Sequence, residues 1–165
     1  MSGAAIDAAS ERTLSAFVRM EAQLLDEARY DEWNALFAAD GIYWMPLSPS
    51  ASNPRLEASH LFDDKVLREV RLARLRSPHA HSQQPPGRSH HLLQQSDVLE
   101  LDVHQGRARV RTAFIYHELR AGRTVILPGV AWHSLVRDSE GWKIAVKRVD
   151  LLHSNEPLPA VEFYV

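Results

Sequence analysis

Gly129-Val130-Ala131-Trp132-His133 and Gly141-Trp142-Lys143-Ile144-Ala145-Val146-Lys147 read as the two arms of one hairpin. Asp138-Ser139-Glu140-Gly141 is the turn between them, with glycine where a positive φ is expected. Apolar and polar residues alternate along both arms, the period of strands whose two faces are used differently. Upstream, Arg107 to Glu118 reads the same way. Ala108, Val110, Thr112, Phe114 and Tyr116 share one face, and Arg107, Arg109 and Arg111 begin the other. Ala121-Gly122 turns the chain into a strand from Arg123 to Arg137. Within that strand Pro128-Gly129 predicts a bulge or sharp bend, because proline cannot donate to the ladder. Before these, His91-Leu92-Leu93 and Asp97 to His104 read as further strands, with Gln105-Gly106 as a turn.

The first third is helical text. Ser10 is the expected N-cap of a helix in which Leu14, Phe17, Val18, Glu21, Leu24, Leu25 and Ala28 follow helical spacing. All of these but Glu21 are apolar, so this face can lie on a sheet. Asp31 then caps a short helix carrying Trp33, Leu36 and Phe37, and Asp40-Gly41 ends it. Ile42 to Met45 is a strand closed by Pro46. Leu47 to Leu61, rich in Ser, Pro and Asn, reads as a loop. Asp63 or Asp64 starts a third helix, with Val66, Leu67, Val70 and Ala73 as its apolar side. Ser77 to Arg88, with Pro78, Pro85 and Pro86, is a second long loop; such loops inside a compact domain are functional, mobile or ordered by a partner. Helix, helix, strand, helix and a strand meander predict an α+β fold, one curved antiparallel sheet with the helices on its concave side.

Composition narrows the function classes. At 165 residues, 45% hydrophobic and 24% charged, the sequence predicts one ordinary globular domain spanning 1–165, with residues 1–9 frayed. A net charge of −2 and the absence of a basic block argue against a nucleic-acid surface. No apolar run reaches the length of a membrane span, and Met1 to Asp7 has neither a basic start nor an apolar signal core, so a cytoplasmic location is expected. There is no cysteine. That removes disulfides, thiol nucleophiles and the two thiolates a Rieske cluster requires. Nine histidines keep a His/carboxylate metal site formally open.

Five fragments in order carry a family resemblance. They are Glu21-Ala-x-Leu24-Leu25-Asp26 with Tyr30-x-x-Trp33-x-x-Leu36-Phe37-x-x-Asp40-Gly41-x-Tyr43-Trp44-x-Pro46; Leu67-x-Glu69-x-Arg71-x-x-Arg74-Leu75; Arg88-Ser-His-His91-Leu92; Gly129-x-x-x-His133-x-Leu135; and Gly141-Trp142-Lys143-Ile144-x-x-Lys147-x-Val149. From about Phe17 onward the chain resembles the small (β) subunit of aromatic-ring-hydroxylating dioxygenases. That family belongs to the nuclear-transport-factor-2-like (NTF2-like, SnoaL-like) superfamily, whose fold is a cone. The resemblance implies an accessory subunit with no cofactor and no metal of its own. A partner α subunit would carry a Rieske 2Fe-2S cluster and a mononuclear Fe(II). The assembly would be an α3β3 hexamer, or a β3 ring alone, and the complex would convert an aromatic ring to a cis-dihydrodiol with O2 and electrons from NAD(P)H.

Against that frame the chemistry-bearing residues have competing readings. His90 and His91 look like a ligand pair, but neighbours on a strand point to opposite faces. His79 and His81 lie in the proline-rich loop, where solvation is the simplest role. Tyr43 and Trp44 also point opposite ways, one into the cone and one outward. Arg71 and Arg74, three apart on a helix, are surface charges or inter-subunit pairs. Tyr43, Trp44, Arg71, Arg74, His91 and Trp132 are the candidate subunit-interface residues. The alternative functions are a stand-alone dehydratase or isomerase of the same fold, with Asp40, Asp63, Asp64 and Tyr43 as acid/base groups, and a small-ligand binding or dimerisation module. Caps and turns account for those aspartates as well.

Overall fold

The structure, a computed structural model, describes residues 6–77, 87–159 and 164–165. His79, His81 and the three prolines of the second long loop lie outside the described residues.

Helix α1 (Ala8–Asp26) starts three residues earlier than Ser10 predicts. Asp7 is the cap, accepting from the backbone N–H of Ala9 and Ser10 at 2.9 Å each. Ser10 contributes from the third helical position, its hydroxyl donating to Asp7 Oδ2 at 2.6 Å. Residues 8 and 9 are therefore helical rather than frayed. The buried stripe of α1 contains the expected apolar residues and Glu21. Helix α2 (Tyr30–Ala35) has no side-chain cap, contrary to the reading of Asp31, and stops before Phe37.

Strand β1 (Phe37–Pro46) begins where the second helix was expected to continue. Asp40-Gly41 lies inside this strand, at a register shift against its neighbour between Phe37 and Ile42. Gly41 is required by crowding: a Cβ there would stand 2.5 Å from the carbonyl oxygen of Ile144. Strand β2 (Ser59–Asp63) begins inside the segment read as loop and ends at Asp63, one of the two expected starts of the third helix, which is α3 (Lys65–Arg76). Strands β3 (Arg88–Leu93), β4 (Asp97–Asp102), β5 (Arg107–Arg120), β6 (Arg123–Arg137) and β7 (Trp142–Leu151) make the meander. Gly141 in the β6–β7 turn has φ +131°, as the hairpin reading requires.

The sheet order is β2-β1-β7-β6-β5-β3, with β4 paired to the other part of the β5 edge. The α+β class and the curved, unclosed sheet are as expected. One pair departs from the antiparallel rule: β1 runs parallel to β7. Pro128-Gly129 makes no bulge against β5, where Phe114–Gly129 and Ile115–Pro128 pair in continuous register. The irregularity in β6 is between Ser134 and Leu135, against β7.

Helix α3 is turned relative to its expected face. Val66, Leu67 and Val70 are exposed, and Arg68 and Leu72 are buried instead. Arg68 anchors the helix because its guanidinium finds carbonyl partners in the sheet. It donates to the Gly41 carbonyl and to Asn34 Oδ1, and lies 4.0 Å from the centre of the Phe37 ring. Hydrophobic spacing cannot register a helix that docks through a hydrogen-bonded arginine. Asp64 caps α3 as expected, accepting from the Leu67 N–H at 3.0 Å.

Candidate functional site

Inside the cone, α1 and the sheet enclose ionised groups together with the core. Glu21 accepts from Lys147 Nζ with both oxygens, at 2.8 and 3.0 Å, and from the Trp33 indole N–H. His133 Nε2 lies 3.5 Å from Glu21 Oε2, and neither ring nitrogen has a hydrogen bond among the described residues. All of these side chains are buried. Burial pushes the Glu21 carboxyl up, but Lys147 and His133 outweigh it and hold the group below the usual carboxylate range. Burial pushes His133 down, more strongly than the nearby Glu21 carboxylate pulls it up.

A second buried cluster closes the cone beside β1 and β2. Asp63 accepts from Arg71 at 2.7 and 3.2 Å and from the Tyr164 hydroxyl at 2.6 Å. The Tyr43 hydroxyl exchanges hydrogen bonds with the backbone of Val165 at 2.9 and 3.1 Å. Burial raises the Tyr43 and Tyr164 hydroxyls above the usual phenol range. At the far side, Asp26 ties α1 to β3. It accepts from the His91 N–H at 2.8 Å, His91 Nδ1 at 2.7 Å and the Ser89 hydroxyl at 3.2 Å. Burial raises the Asp26 carboxyl, and the His91 bonds more than reverse that. His91 points inward and His90 outward, as their strand positions dictate.

The acid/base reading loses its setting here. Tyr43 is held protonated against a backbone carbonyl, Asp63 is bound by Arg71 and Tyr164 rather than acting as a cap, Asp64 caps α3, and Asp40 is exposed on β1. None of the four faces an open cavity as a desolvated base. Among the described residues no group of three or more His, Cys, Asp or Glu side chains is placed to hold a metal ion. Nor is any helix long and apolar enough to cross a membrane.

The outer face of the sheet has two halves. On one, Arg109 pairs with Glu100 at 2.8 Å, Arg111 with Asp97 at 3.3 Å and Arg148 with Asp150 at 2.9 Å. The Trp132 indole donates to Asp150 at 2.8 Å. Arg148 stacks 4.7 Å over Trp44 and donates to the carbonyls of Pro49 and Ala51. This fastens the following loop over Trp44 and buries it. On the other half, Ile115 stands beside Leu92 and Pro128, and His117 beside Ile126. Leu92, Ile115 and Ile126 are 56, 43 and 57% exposed, and Leu119 and Leu152 are exposed as well. Scattered exposed leucines mean little, but a contiguous patch marks a docking surface.

The six interface candidates are thus divided. Tyr43 and His91 are buried inside the chain, Trp44 is buried under its own loop, and Arg71 is engaged with Asp63. Arg74, exposed on α3, and the half-buried Trp132 present surface, and so does part of the Arg71 side chain. The apolar patch was missed by sequence reasoning. Its signal was present in the β5 alternation, where the outward positions turn from Arg107, Arg109 and Arg111 to Ala113 and Ile115.

Comparison with known proteins gives the family. The family described as the ring hydroxylating beta subunit matches residues 20–156. The small subunit of 2-halobenzoate 1,2-dioxygenase from Burkholderia cepacia is 31% identical over 150 residues, 84% of this chain and 88% of that one. The beta subunit of benzoate 1,2-dioxygenase from Burkholderia mallei superposes with a TM-score of 0.74 at 22% identity, over 99% of this chain and 100% of that one. An NTF2-like protein with a cystatin-like fold from Novosphingobium aromaticivorans gives 0.59 at 14% identity, over 87 and 82% of the two chains. With a match that runs through both helical and strand regions, the chain belongs to the beta subunits of ring-hydroxylating dioxygenases.

Proposed function

We propose that this chain, as one domain over residues 1–165, is the non-catalytic β subunit of a cytoplasmic Rieske-type aromatic-ring dioxygenase. It supports an α subunit that cis-dihydroxylates an aromatic substrate. The α subunit supplies the Rieske cluster and the mononuclear iron; this cysteine-free sequence offers no thiolate for the first. Stoichiometry is α3β3, with closed symmetry covering the outer sheet face in each copy.

The observation that carries this reading is the contrast within the sheet. Its inner face is filled by paired side chains, whereas its outer face carries the contiguous Leu92-Ile115-Ile126 surface. Trp132, on β6, is proposed to border that contact, and Arg74, exposed on α3 at the other end of the sheet, to meet a neighbouring subunit separately. Co-expression with an α subunit encoded beside it tests the reading. The expected result is one complex whose light-scattering mass equals three copies of each chain. A chain that stays monomeric at micromolar concentration and ignores the α subunit would overturn it. Isomerase or dehydratase activity of the purified chain alone would favour the stand-alone enzyme.

A further inference from the structure

One set of interior contacts lies on the inner side of the sheet, among the buried side chains of Trp33, Tyr43 and Asp63. Tyr164 is only 1% exposed, and its ring stacks on Trp33 with centroids 4.4 Å apart and planes 30° apart. Tyr43 meets the same ring edge-on at 4.8 Å. The Tyr164 hydroxyl donates to Asp63 Oδ2 at 2.6 Å. Arg71 donates to that same oxygen at 2.7 Å and sets its guanidinium carbon 5.8 Å from the Tyr164 ring centre. Two aromatic walls, one buried carboxylate acceptor and one cation balancing it are the parts of a receptor for a phenol.

We propose that this end of the cone is a binding site for small neutral phenols, occupied in cis by Tyr164. The chemistry sets its selectivity. A phenol hydroxyl satisfies Asp63, whereas an apolar ring of the same size leaves a buried carboxylate oxygen with Arg71 alone. An anionic ring would bring a second negative charge beside Asp63, where Arg71 is already bound to that carboxylate and Arg68 is committed to the Gly41 carbonyl and Asn34. In the intact chain the attached Tyr164 competes at high local concentration, so a free phenol reaches the site only weakly. The proposal is independent of the subunit assignment, because it concerns the inner face alone.

The test uses the full-length chain carrying Tyr164→Ala, probed with p-cresol, toluene and p-toluate. A void walled by aromatic rings takes up a ring of matching size, and the Asp63 carboxylate at its end selects one that carries a donor. The expected result is a saturable rise in Tm with p-cresol, at least tenfold tighter binding than toluene by calorimetry, and no binding of p-toluate. Wild-type chain should show no comparable shift. Equal binding of p-cresol and toluene would mean an unspecific void and would overturn the proposal. So would an equal p-cresol effect on wild type, which would place the site elsewhere. Tyr164→Phe gives a second test that does not depend on the alanine variant folding. It keeps the ring and removes the donor, so it must melt below wild type. An unchanged melt would show that Asp63 does not recognise the hydroxyl.

Discussion

On the inner face of the sheet, Lys147 meets Glu21, Tyr164 and Arg71 meet Asp63, and His91 meets Asp26, each ionised group closed by a partner on another element. On the outer face, Ile115, Ile126 and Leu92 face solvent with nothing over them among the described residues. The two faces belong to the same strands, often to adjacent residues. The difference teaches where each kind of residue acts. Inner polar groups fix how helices register on the sheet, and outer apolar groups are free to bind another chain. A cone whose inner face is occupied by its own side chains is suited to support rather than to catalysis.

The largest effect should come from breaking the central inner pair. Glu21→Ala leaves Lys147 buried without a counter-charge and should cost about 3–5 kcal/mol in urea unfolding. Replacing both, as Glu21→Met with Lys147→Met, should restore most of that loss, since well-packed apolar side chains substitute for a buried ion pair. A double variant as unstable as the single one would show that the pair is needed for more than charge balance.

Acid sharpens the same point. The Glu21 carboxyl lies below its ordinary value, so its contribution is present above the unfolded pKa and is lost as pH falls through the folded one. His133 acts in the same direction. Its folded pKa is depressed, so the unfolded state takes up the proton first. Stability should therefore decline in two stages on acidification, the first below about pH 6.5 and the second below about pH 4.5. In His133→Phe the upper stage should vanish from the pH profile of urea midpoints while the lower one remains.

Arg71 and Arg74 separate the two faces within one helix. Arg71→Ala strips a partner from buried Asp63 and should cost about 2 kcal/mol, whereas exposed Arg74→Ala should change chain stability by less than about 0.5 kcal/mol. Equal costs would mean that the Asp63–Arg71 pair adds no stability beyond an exposed charge.

The hairpin, the β5 alternation and the apolar stripe of α1 were legible because each repeats a simple period through several residues. Glu21 was visible as the one polar residue in that stripe, but its partners Lys147 and His133 are more than a hundred residues away and only the folded register joins them. Helix α3 was misread for the complementary reason. Val66, Leu67 and Val70 form a plausible buried side, and the actual docking rests on Arg68 finding the Gly41 carbonyl. Strand β2 carries a short, mixed sequence, and its pairing with β1 through Tyr43–Asp63 and Trp44–Phe62 is a tertiary fact. Of the six interface candidates, Tyr43 and His91 are buried inside the chain although their residue types also suit a surface contact. Burial depends on which face of a strand meets α1, and composition does not report that.

The smallest effect on the chain itself should accompany the largest effect on assembly. Ile115→Glu with Ile126→Glu alters only solvent-facing positions of β5 and β6, so circular dichroism and urea midpoint should match wild type within about 0.5 kcal/mol. The decisive measurement is the light-scattering mass of this variant co-expressed with the α subunit. The account predicts a folded chain that no longer enters the complex, beside a wild-type control that does. A complex of unchanged mass would contradict the claim that the outer face of the sheet is the working surface of this subunit.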